Sequence, residues 1–280
     1  MKIYDCFPFF NELDLLEIRL KELNPIVDIF VLVESVYTFQ KKNKPLYFDE
    51  NKKRFEKFLP KIRHIVVDQL PGFFAKFRVP KPWDVSNHQK NAVSQGLYDA
   101  ESEDLILIGD VDEIPSCEKL KKYHQEPGIH VFHQRLSYYF VNCVCTDCKG
   151  ESCISYFRGF VYWKGTVMLP KKDLVSFVTA RKYRDDNSLK IKQIPEGGWH
   201  FSYLGGEKLV KEKLQALEHA NESHYRDKVN KNANQLSEMM NIGADIYGRD
   251  LKFSFVPIDD SFPQTLINEK DTYQHLIKTI

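Results

Sequence analysis

The sequence predicts an α/β protein in which helices cover a mostly parallel central sheet. Two observations predict this class. Strand-like and helix-like segments alternate through residues 1–115, and the short apolar run 105–108 is typical of a strand buried on both faces. An alternation of strands and helices is characteristic of parallel sheets built from βαβ units.

The elements follow from the residue pattern along the chain. Strand-type runs lie at 3–7, 27–33, 62–67 and 105–109, and apolar residues at helical spacing predict helices at 11–24, 49–59 and 84–98. The second half differs, because the segments 129–141 and 160–169 are rich in aromatic and β-branched residues. We therefore expect longer strands there, followed by a charged helix at 207–222.

Composition narrows the functional class. The 280 residues are 42% hydrophobic, enough for one large core, and 40 basic residues against 39 acidic give a net charge of +1. This balance argues against bulk nucleic-acid binding. The N-terminus lacks the apolar segment of a signal peptide, and no window reaches the ~18 apolar residues that span a bilayer. The expectation is a cytoplasmic chain without a transmembrane segment.

The most informative motif is the acidic cluster that follows the strand at 105–108. Asp110, Asp112 and Glu113 leave the carboxyl end of a buried strand, where α/β sheets bind ligands. Burying unpaired carboxylates costs free energy, and a bound Mg²⁺ or Mn²⁺ usually offsets this cost. A helix cap is the alternative for Glu113. His200 follows two glycines and is a candidate third ligand.

Several blocks in a fixed order extend this motif. They are FNELDLLEIRL at 10–20, VLVES at 31–35, PLYF at 45–48, NHQKNA at 87–92, GDVDEIP at 109–115, WKGT at 163–166 and GGWHFSY at 197–203. Together they resemble glycosyltransferase family 17. The resemblance implies a GT-A fold, a nucleotide-sugar donor that we expect to be UDP-N-acetylglucosamine, a glycan acceptor, and inversion at the transferred sugar.

The resemblance and the residue chemistry together suggest roles. One catalytic domain spans 1–280, with a nucleotide-binding half at 1–115 and a smaller β-rich, acceptor-side half at 116–280. Metal-dependent transfer assigns Asp112 as the first metal ligand, with Asp110 as a second ligand or a ribose contact, and Glu113 orienting either one.

Further candidates lie outside the acidic cluster. Glu34 ends its own buried strand and is expected on the nucleotide, with a salt bridge to Arg19 as the alternative. Gln89 and Asn91 lie with Lys90 on the helix before the acidic strand and are expected near ribose or phosphate, or else on a solvated helix face. The candidates for the general base are Glu196, Asp245 and the neighbouring pair Asp259 and Asp260.

A cysteine-rich loop at 143–153 departs from the family pattern. It contains Cys143, Cys145, Cys148 and Cys153. A structural Zn²⁺, two disulfides or four unligated thiols all fit this spacing. The family's eukaryotic members are membrane-anchored, whereas this chain is almost entirely catalytic domain, and this contrast suggests a bacterial or viral source.

Two other functional classes remain open. Haloacid dehalogenase phosphatases also place an Asp-x-Asp motif after a buried strand, with the first Asp as nucleophile and Mg²⁺ beside it. Their motif usually opens the chain, however, whereas more than 100 residues precede it here. A non-catalytic carbohydrate- or protein-binding module would leave the acidic strand end unexplained.

Overall fold

The structure is a computed structural model that describes residues 1–72, 79–149, 154–185, 191–223, 226, 230 and 235–280. The strands are β1 (Ile3–Phe9), β2 (Ile29–Ser35), β3 (Ile62–Val67), β4 (Leu105–Ile108), β5 (Glu113–Pro115), β6 (His130–Tyr138), β7 (Cys143–Cys148), β8 (Ile154–Phe157), β9 (Phe160–Pro170), β10 (Lys192–Ser202) and β11 (Leu251–Phe255). All of them belong to one sheet.

The helices of the described residues are short. They are α1 (Leu13–Leu23), α2 (Tyr47–Glu50), α3 (Pro82–Asn91), α4 (Cys117–Tyr123), α5 (Phe177–Lys182), α6 (Gly206–Ala216), α7 (Leu236–Ile242) and α8 (Gln264–Asn268). Four 3₁₀ helices join them at Lys52–Lys61, Ala92–Leu97, Lys171–Asp173 and Gln274–Leu276. Within the described ranges, none of these helices has the length and apolar content to cross a membrane.

The first half of the sheet confirms the predicted parallel arrangement. Strand β1 pairs in parallel with both β2 and β4, and β2 pairs in parallel with β3. The second half is largely antiparallel, since β9 runs antiparallel to β4, β6 and β8. Strand β10 is the exception there, because it lies parallel to β6. The sheet is therefore mixed, with its parallel half at the N-terminus.

Each face of the parallel half packs against helices. Most apolar side chains of α1, including Leu16 and Leu20, are buried in one core cluster with residues of β1, β2 and β4. The opposite cluster joins Val31 and Val33 to Val93 and Phe177 on the helical side. A third cluster lies between β6, β7, α6 and α7. Burial on both sides explains why the first strands are almost continuously apolar.

Four predicted elements differ from the structure. The helix expected at 49–59 is α2 followed by a 3₁₀ helix, and the helix expected at 84–98 changes to 3₁₀ geometry at Ala92. The charged helix at 207–222 ends at Ala216, because Leu217 adopts an extended conformation. The predicted cysteine-rich loop is wrong over Cys143–Cys148, which forms strand β7 and pairs with β11.

Candidate active site

A cavity of about 250 Å³ opens beside the carboxyl ends of β1, β2 and β4. Its wall contains the aromatic side chains of Phe9, Phe10, Tyr37 and Phe39. The same wall contains the acidic cluster that follows β4. Parallel strands that end together bring these residues to the same edge of the sheet, as the sequence predicts.

Arg19 of α1 fixes the backbone of the acidic loop, residues 110–113, by hydrogen bonds. This side chain is fully buried, and its Nη1 donates to the carbonyl oxygens of Asp110, Val111 and Glu113 at 3.1, 3.3 and 2.6 Å. Its Nη2 and Nε pair with the buried carboxylate of Asp5 at 2.6 and 2.8 Å. The structure therefore contradicts the alternative that Arg19 pairs with Glu34. Instead, Arg19 fixes the loop that carries the acidic cluster.

Glu113 lies at the centre of a charged hydrogen-bond network. Its carboxylate is ion-paired with Arg181, accepts the Trp163 indole N–H at 2.9 Å, and accepts the backbone N–H of Asp110 at 3.0 Å. The helix-cap alternative for Glu113 is wrong, because Ser116 caps α4 by accepting from the backbone N–H of Lys119. The hydrogen bond to the Asp110 backbone agrees with the predicted orienting role.

Asp110 shares the same cation. Arg181 Nη2 lies 2.9 Å from Asp110 Oδ2, and a third of the Asp110 side chain stays exposed to the cavity. Burial opposes ionisation of both carboxyl groups, but the charge of Arg181 outweighs it, so the pKa values of Asp110 and Glu113 are lowered. Both groups are therefore carboxylates at neutral pH.

Asp112 is paired with a second cation, which comes from α6. Lys213 Nζ lies 2.8 Å from Asp112 Oδ2 and 2.9 Å from Glu12 Oε1. Burial disfavours the ammonium, but these two carboxylates outweigh burial and raise the pKa of Lys213. The other oxygen, Asp112 Oδ1, faces His200 Nε2 at 3.6 Å. One oxygen of Asp112 therefore faces Lys213, and the other faces the imidazole ring of His200.

A divalent metal at this site stays a prediction. In the described part of the chain, no three His, Cys, Asp or Glu side chains converge as a ready metal cage. Mg²⁺ and Mn²⁺ sites often use only one or two carboxylates and are completed by phosphate oxygens and water. Asp112 Oδ1, the partly exposed carboxylate of Asp110 and His200 Nε2 are the groups that fit this arrangement.

Of the other residues predicted to contact the nucleotide, some line the cavity and others do not. Gln89 and Lys90 line the cavity, where Gln89 donates to the Tyr37 carbonyl at 3.0 Å. Asn91 instead accepts from the backbone N–H of Val178 at 3.2 Å and is not part of the cavity wall.

Glu34 is also absent from the cavity wall. It is completely buried beneath the strand end, where it accepts from the Phe48 backbone N–H at 3.0 Å and contacts His64 Nε2 at 3.1 Å. Its position supports a structural role for this carboxylate.

The candidates for the general base also lie outside the cavity. Glu196 and Asp260 line a different cavity, described below, and Asp245 is ion-paired with Arg249 at 2.8 Å. Asp259 accepts from its neighbour Ser261 at 2.5 Å. The predicted catalytic role of Glu196 therefore has no support from its position.

The cysteines belong to the core of the second half. Cys143 and Cys145 are buried in β7, and burial raises the pKa of each thiol to about 12. Cys148 is buried at the end of the same strand. The fourth predicted zinc ligand, Cys153, lies outside the described residues. A structural Zn²⁺ at these cysteines stays a prediction.

The sequence pattern does not predict five charged residues of the cavity. They are Glu12, Lys44, Arg181, Lys213 and Glu218. Glu218 is buried, pairs with Lys90 at 3.1 Å and also binds the Ser86 hydroxyl. All five lie far along the chain from the acidic cluster, so no local pattern separates them from surface residues.

The lowered pKa of Glu113 predicts a pH-dependent contribution to stability. Glu113→Gln should lower the free energy of unfolding at neutral pH, because Arg181 loses its closest partner. A carboxyl group with a lowered folded-state pKa stabilises the protein above its usual value of 4.5, and this stabilisation is lost as the pH falls. The stability difference between the wild type and the variant should therefore shrink from pH 6 to pH 3 in urea unfolding.

Glu103→Gln is the matched control, since its ion pair with Lys172 is exposed. This variant should stay close to the wild type at every pH. A difference between the wild type and Glu113→Gln that is constant across the range would contradict an ionised, stabilising Glu113.

Two mammalian enzymes are similar in sequence to this chain over almost its whole length. The β-1,4-mannosyl-glycoprotein 4-β-N-acetylglucosaminyltransferase of Rattus norvegicus is 24% identical over 96% of this chain, and that of Homo sapiens is 24% identical over 95%. The chain covers 53% of each relative, about half its length. These relatives are mammalian, and the bacterial or viral source suspected for this chain stays a prediction.

A solved structure is also similar at a low level. The inositol-1-phosphate CTP transferase of T. maritima matches with a TM-score of 0.38 and 12% identity, over 77% of this chain and 96% of that one. That likeness is too low to carry a conclusion. The sequence model of glycosyltransferase family 17, in contrast, matches residues 1–277. A match over nearly the whole chain shows that the protein belongs to glycosyltransferase family 17.

Proposed function

We propose that this protein transfers a sugar, N-acetylglucosamine from UDP-N-acetylglucosamine, onto a glycan acceptor with inversion and with the help of Mn²⁺ or Mg²⁺. The observation that carries the proposal is the pairing of Asp110 with Arg181 and of Asp112 with Lys213 in the wall of a cavity that also contains aromatic residues. The choice of N-acetylglucosamine as the sugar and of a glycan as the acceptor is based on the names of the two mammalian relatives.

The cavity wall contains groups that suit both parts of a nucleotide sugar. Aromatic faces at Phe10, Tyr37 and Phe39 are suited to stack on a planar base. The charged residues suit a diphosphate, since Lys213 and Arg181 can share their donors with phosphate oxygens. A nucleotide sugar combines the same two features, a planar base and a charged diphosphate.

The charge balance of the cavity supports a metal. Its charged wall residues are five acids, Glu12, Asp110, Asp112, Glu113 and Glu218, and four bases, Lys44, Lys90, Arg181 and Lys213. A diphosphate adds two negative charges to this nearly neutral site, and a divalent cation offsets them. When bound beside Asp112, such a metal would stabilise the charge that develops on the leaving diphosphate.

The protein groups prepare the site before the donor binds. Arg19 fixes the backbone of the acidic loop, and Glu113 orients Asp110 through its backbone N–H. Charged groups that are already oriented stabilise the transition state without a cost of reorganisation. Because the chain belongs to a glycosyltransferase family, the haloacid dehalogenase alternative loses its support.

A thermal-shift panel of nucleotide sugars, each with and without Mn²⁺, tests the donor. A ligand at about one hundred times its Kd stabilises the folded state by ~2.7 kcal/mol. For a chain of this size, where 1 kcal/mol shifts Tm by about 2 °C, we expect Tm to rise by roughly 5 °C. The rise should be largest for UDP-N-acetylglucosamine and should need Mn²⁺. Equal shifts without metal would contradict the metal dependence. No shift with any nucleotide sugar, together with hydrolysis of a phosphoester, would contradict glycosyl transfer.

A further inference from the structure

A second cavity, of about 280 Å³, lies on the opposite face of the sheet from the candidate active site. Two pairs of neighbouring residues show this arrangement. On β9, Trp163 lines the active-site cavity while Tyr162 lines the second cavity. On β10, His200 lines the active-site cavity while Trp199 lines the second cavity. Successive side chains of a strand point to opposite faces, so the two cavities share these strands but not their side chains.

An arginine between two aromatic residues forms the floor of the second cavity. Arg135 on β6 is in register with Tyr162 on β9 and with Trp199 on β10. The three side chains therefore form one row across three adjacent strands. Among the described residues, the Tyr162 hydroxyl makes no hydrogen bond, whereas the Trp199 indole N–H donates to the Ser261 carbonyl at 2.8 Å.

Arg135 is an unusual residue for such a position. It is only 4% exposed, and no carboxylate of the described residues forms an ion pair with it. Its guanidinium donates to the hydroxyl and carbonyl oxygens of Ser261 at 2.7 and 3.3 Å, and it lies 4.1 Å from the centre of the Phe262 ring. Its Nε has no hydrogen-bond partner within the described residues. Burying a cation without a counter-ion costs free energy, so such a group is a candidate for binding a ligand.

The charges around the row decide which ligand fits. The second cavity has four acids, Glu22, Glu118, Glu196 and Asp260, but only two bases, Lys119 and Arg135. An anion would meet a surplus of negative charge. A neutral polyhydroxyl ligand uses both kinds of group, because its hydroxyls donate to carboxylates and accept from a guanidinium. Its apolar C–H face can pack on an aromatic ring.

We propose that this second cavity is a non-catalytic binding site for a neutral saccharide, separate from the site of transfer. Trp199 and Tyr162 supply the aromatic surface, Arg135 supplies donors, and Glu196 and Asp260 supply acceptors at the rim. The backbone of Glu196 adopts a left-handed φ of 49°, which is strained for a residue other than glycine. The site would hold a part of a glycan that lies away from the acceptor hydroxyl.

The experiment compares two tryptophan variants on opposite faces of the sheet. The wild type, Trp199→Ala and Trp163→Ala are applied to an array of immobilised neutral and acidic glycans, without donor. We expect binding to neutral glycans to weaken roughly tenfold in Trp199→Ala, about 1.4 kcal/mol, and to persist in Trp163→Ala. Asp260→Asn replaces an exposed acceptor with little risk to folding and should also weaken binding.

The outcomes separate this proposal from the donor proposal. Trp199→Ala should keep the wild-type thermal shift with UDP-N-acetylglucosamine and Mn²⁺, because it lies outside the active-site cavity. Loss of glycan binding only in Trp163→Ala would assign the binding to the active site and overturn the second site. Preference for acidic glycans, or no binding that depends on Trp199 or Asp260, would also overturn it.

Discussion

Arg19→Met should lower the free energy of unfolding by about 3–5 kcal/mol, because it leaves the carboxylate of Asp5 buried without its partner. Both side chains are fully buried, so water cannot replace the lost contact. Urea unfolding at neutral pH measures the change. Arg54→Met is the control, since its ion pairs with Asp14 and Glu17 are partly exposed and should contribute less than ~1 kcal/mol.

The double variant Asp5→Asn/Arg19→Met separates the two roles of Arg19. Removal of both charges should recover part of the lost stability, because no unpaired charge stays buried. It should not restore donor binding, since the carbonyl oxygens of Asp110, Val111 and Glu113 still lack their donor. Full recovery of the UDP-N-acetylglucosamine thermal shift in the double variant would contradict the positioning role of Arg19.

Asp112→Asn should reduce the rate of sugar transfer by about a hundredfold or more, comparable to the loss of a preorganised stabiliser of developing charge. The amide keeps the size of the side chain but removes the negative charge that pairs with Lys213 and that the proposed metal would need. Transfer to a glycan acceptor from UDP-N-acetylglucosamine, measured over a series of Mn²⁺ concentrations, tests this prediction.

Asp147→Asn is the matched control for the loss of one carboxylate, because its ion pair with Lys252 is exposed and lies outside the active-site cavity. The control should retain wild-type transfer. Near-normal transfer by a folded Asp112→Asn protein would contradict the role proposed for Asp112. Urea unfolding of both variants shows whether loss of folding explains any change.

The parallel half of the fold and the acidic end of β4 were predictable because their signals are local. Apolar runs mark the buried strands, and Asp110 and Asp112 follow one of them directly. The partners of these carboxylates carry no such signal, since Lys213 is one of several lysines on α6 and Arg181 belongs to a short helix. Only the tertiary structure shows that Lys213 and Arg181 pair with these carboxylates.

Arg19 is a case in which the sequence held an unused signal. It lies on the apolar face of α1, three or four residues from Leu15, Leu16 and Leu23, which are all buried. A charged side chain on such a face predicts a buried counter-charge. The position of Glu196 outside the active-site cavity has a different origin, because the irregular pairing between Ile194 and Gly198 interrupts the strand and with it the strict alternation of faces.

The alternation of side chains along β10 also constrains the length of this strand. Inserting or deleting one residue between Gly198 and Ser202 would exchange the faces of Trp199 and His200. The tryptophan would then enter the active-site cavity, and the histidine would leave Asp112. Related sequences should therefore tolerate changes of side chain in this stretch more readily than insertions or deletions. The irregular pairing from Ile194 to Gly198 is the place where an inserted residue could be absorbed.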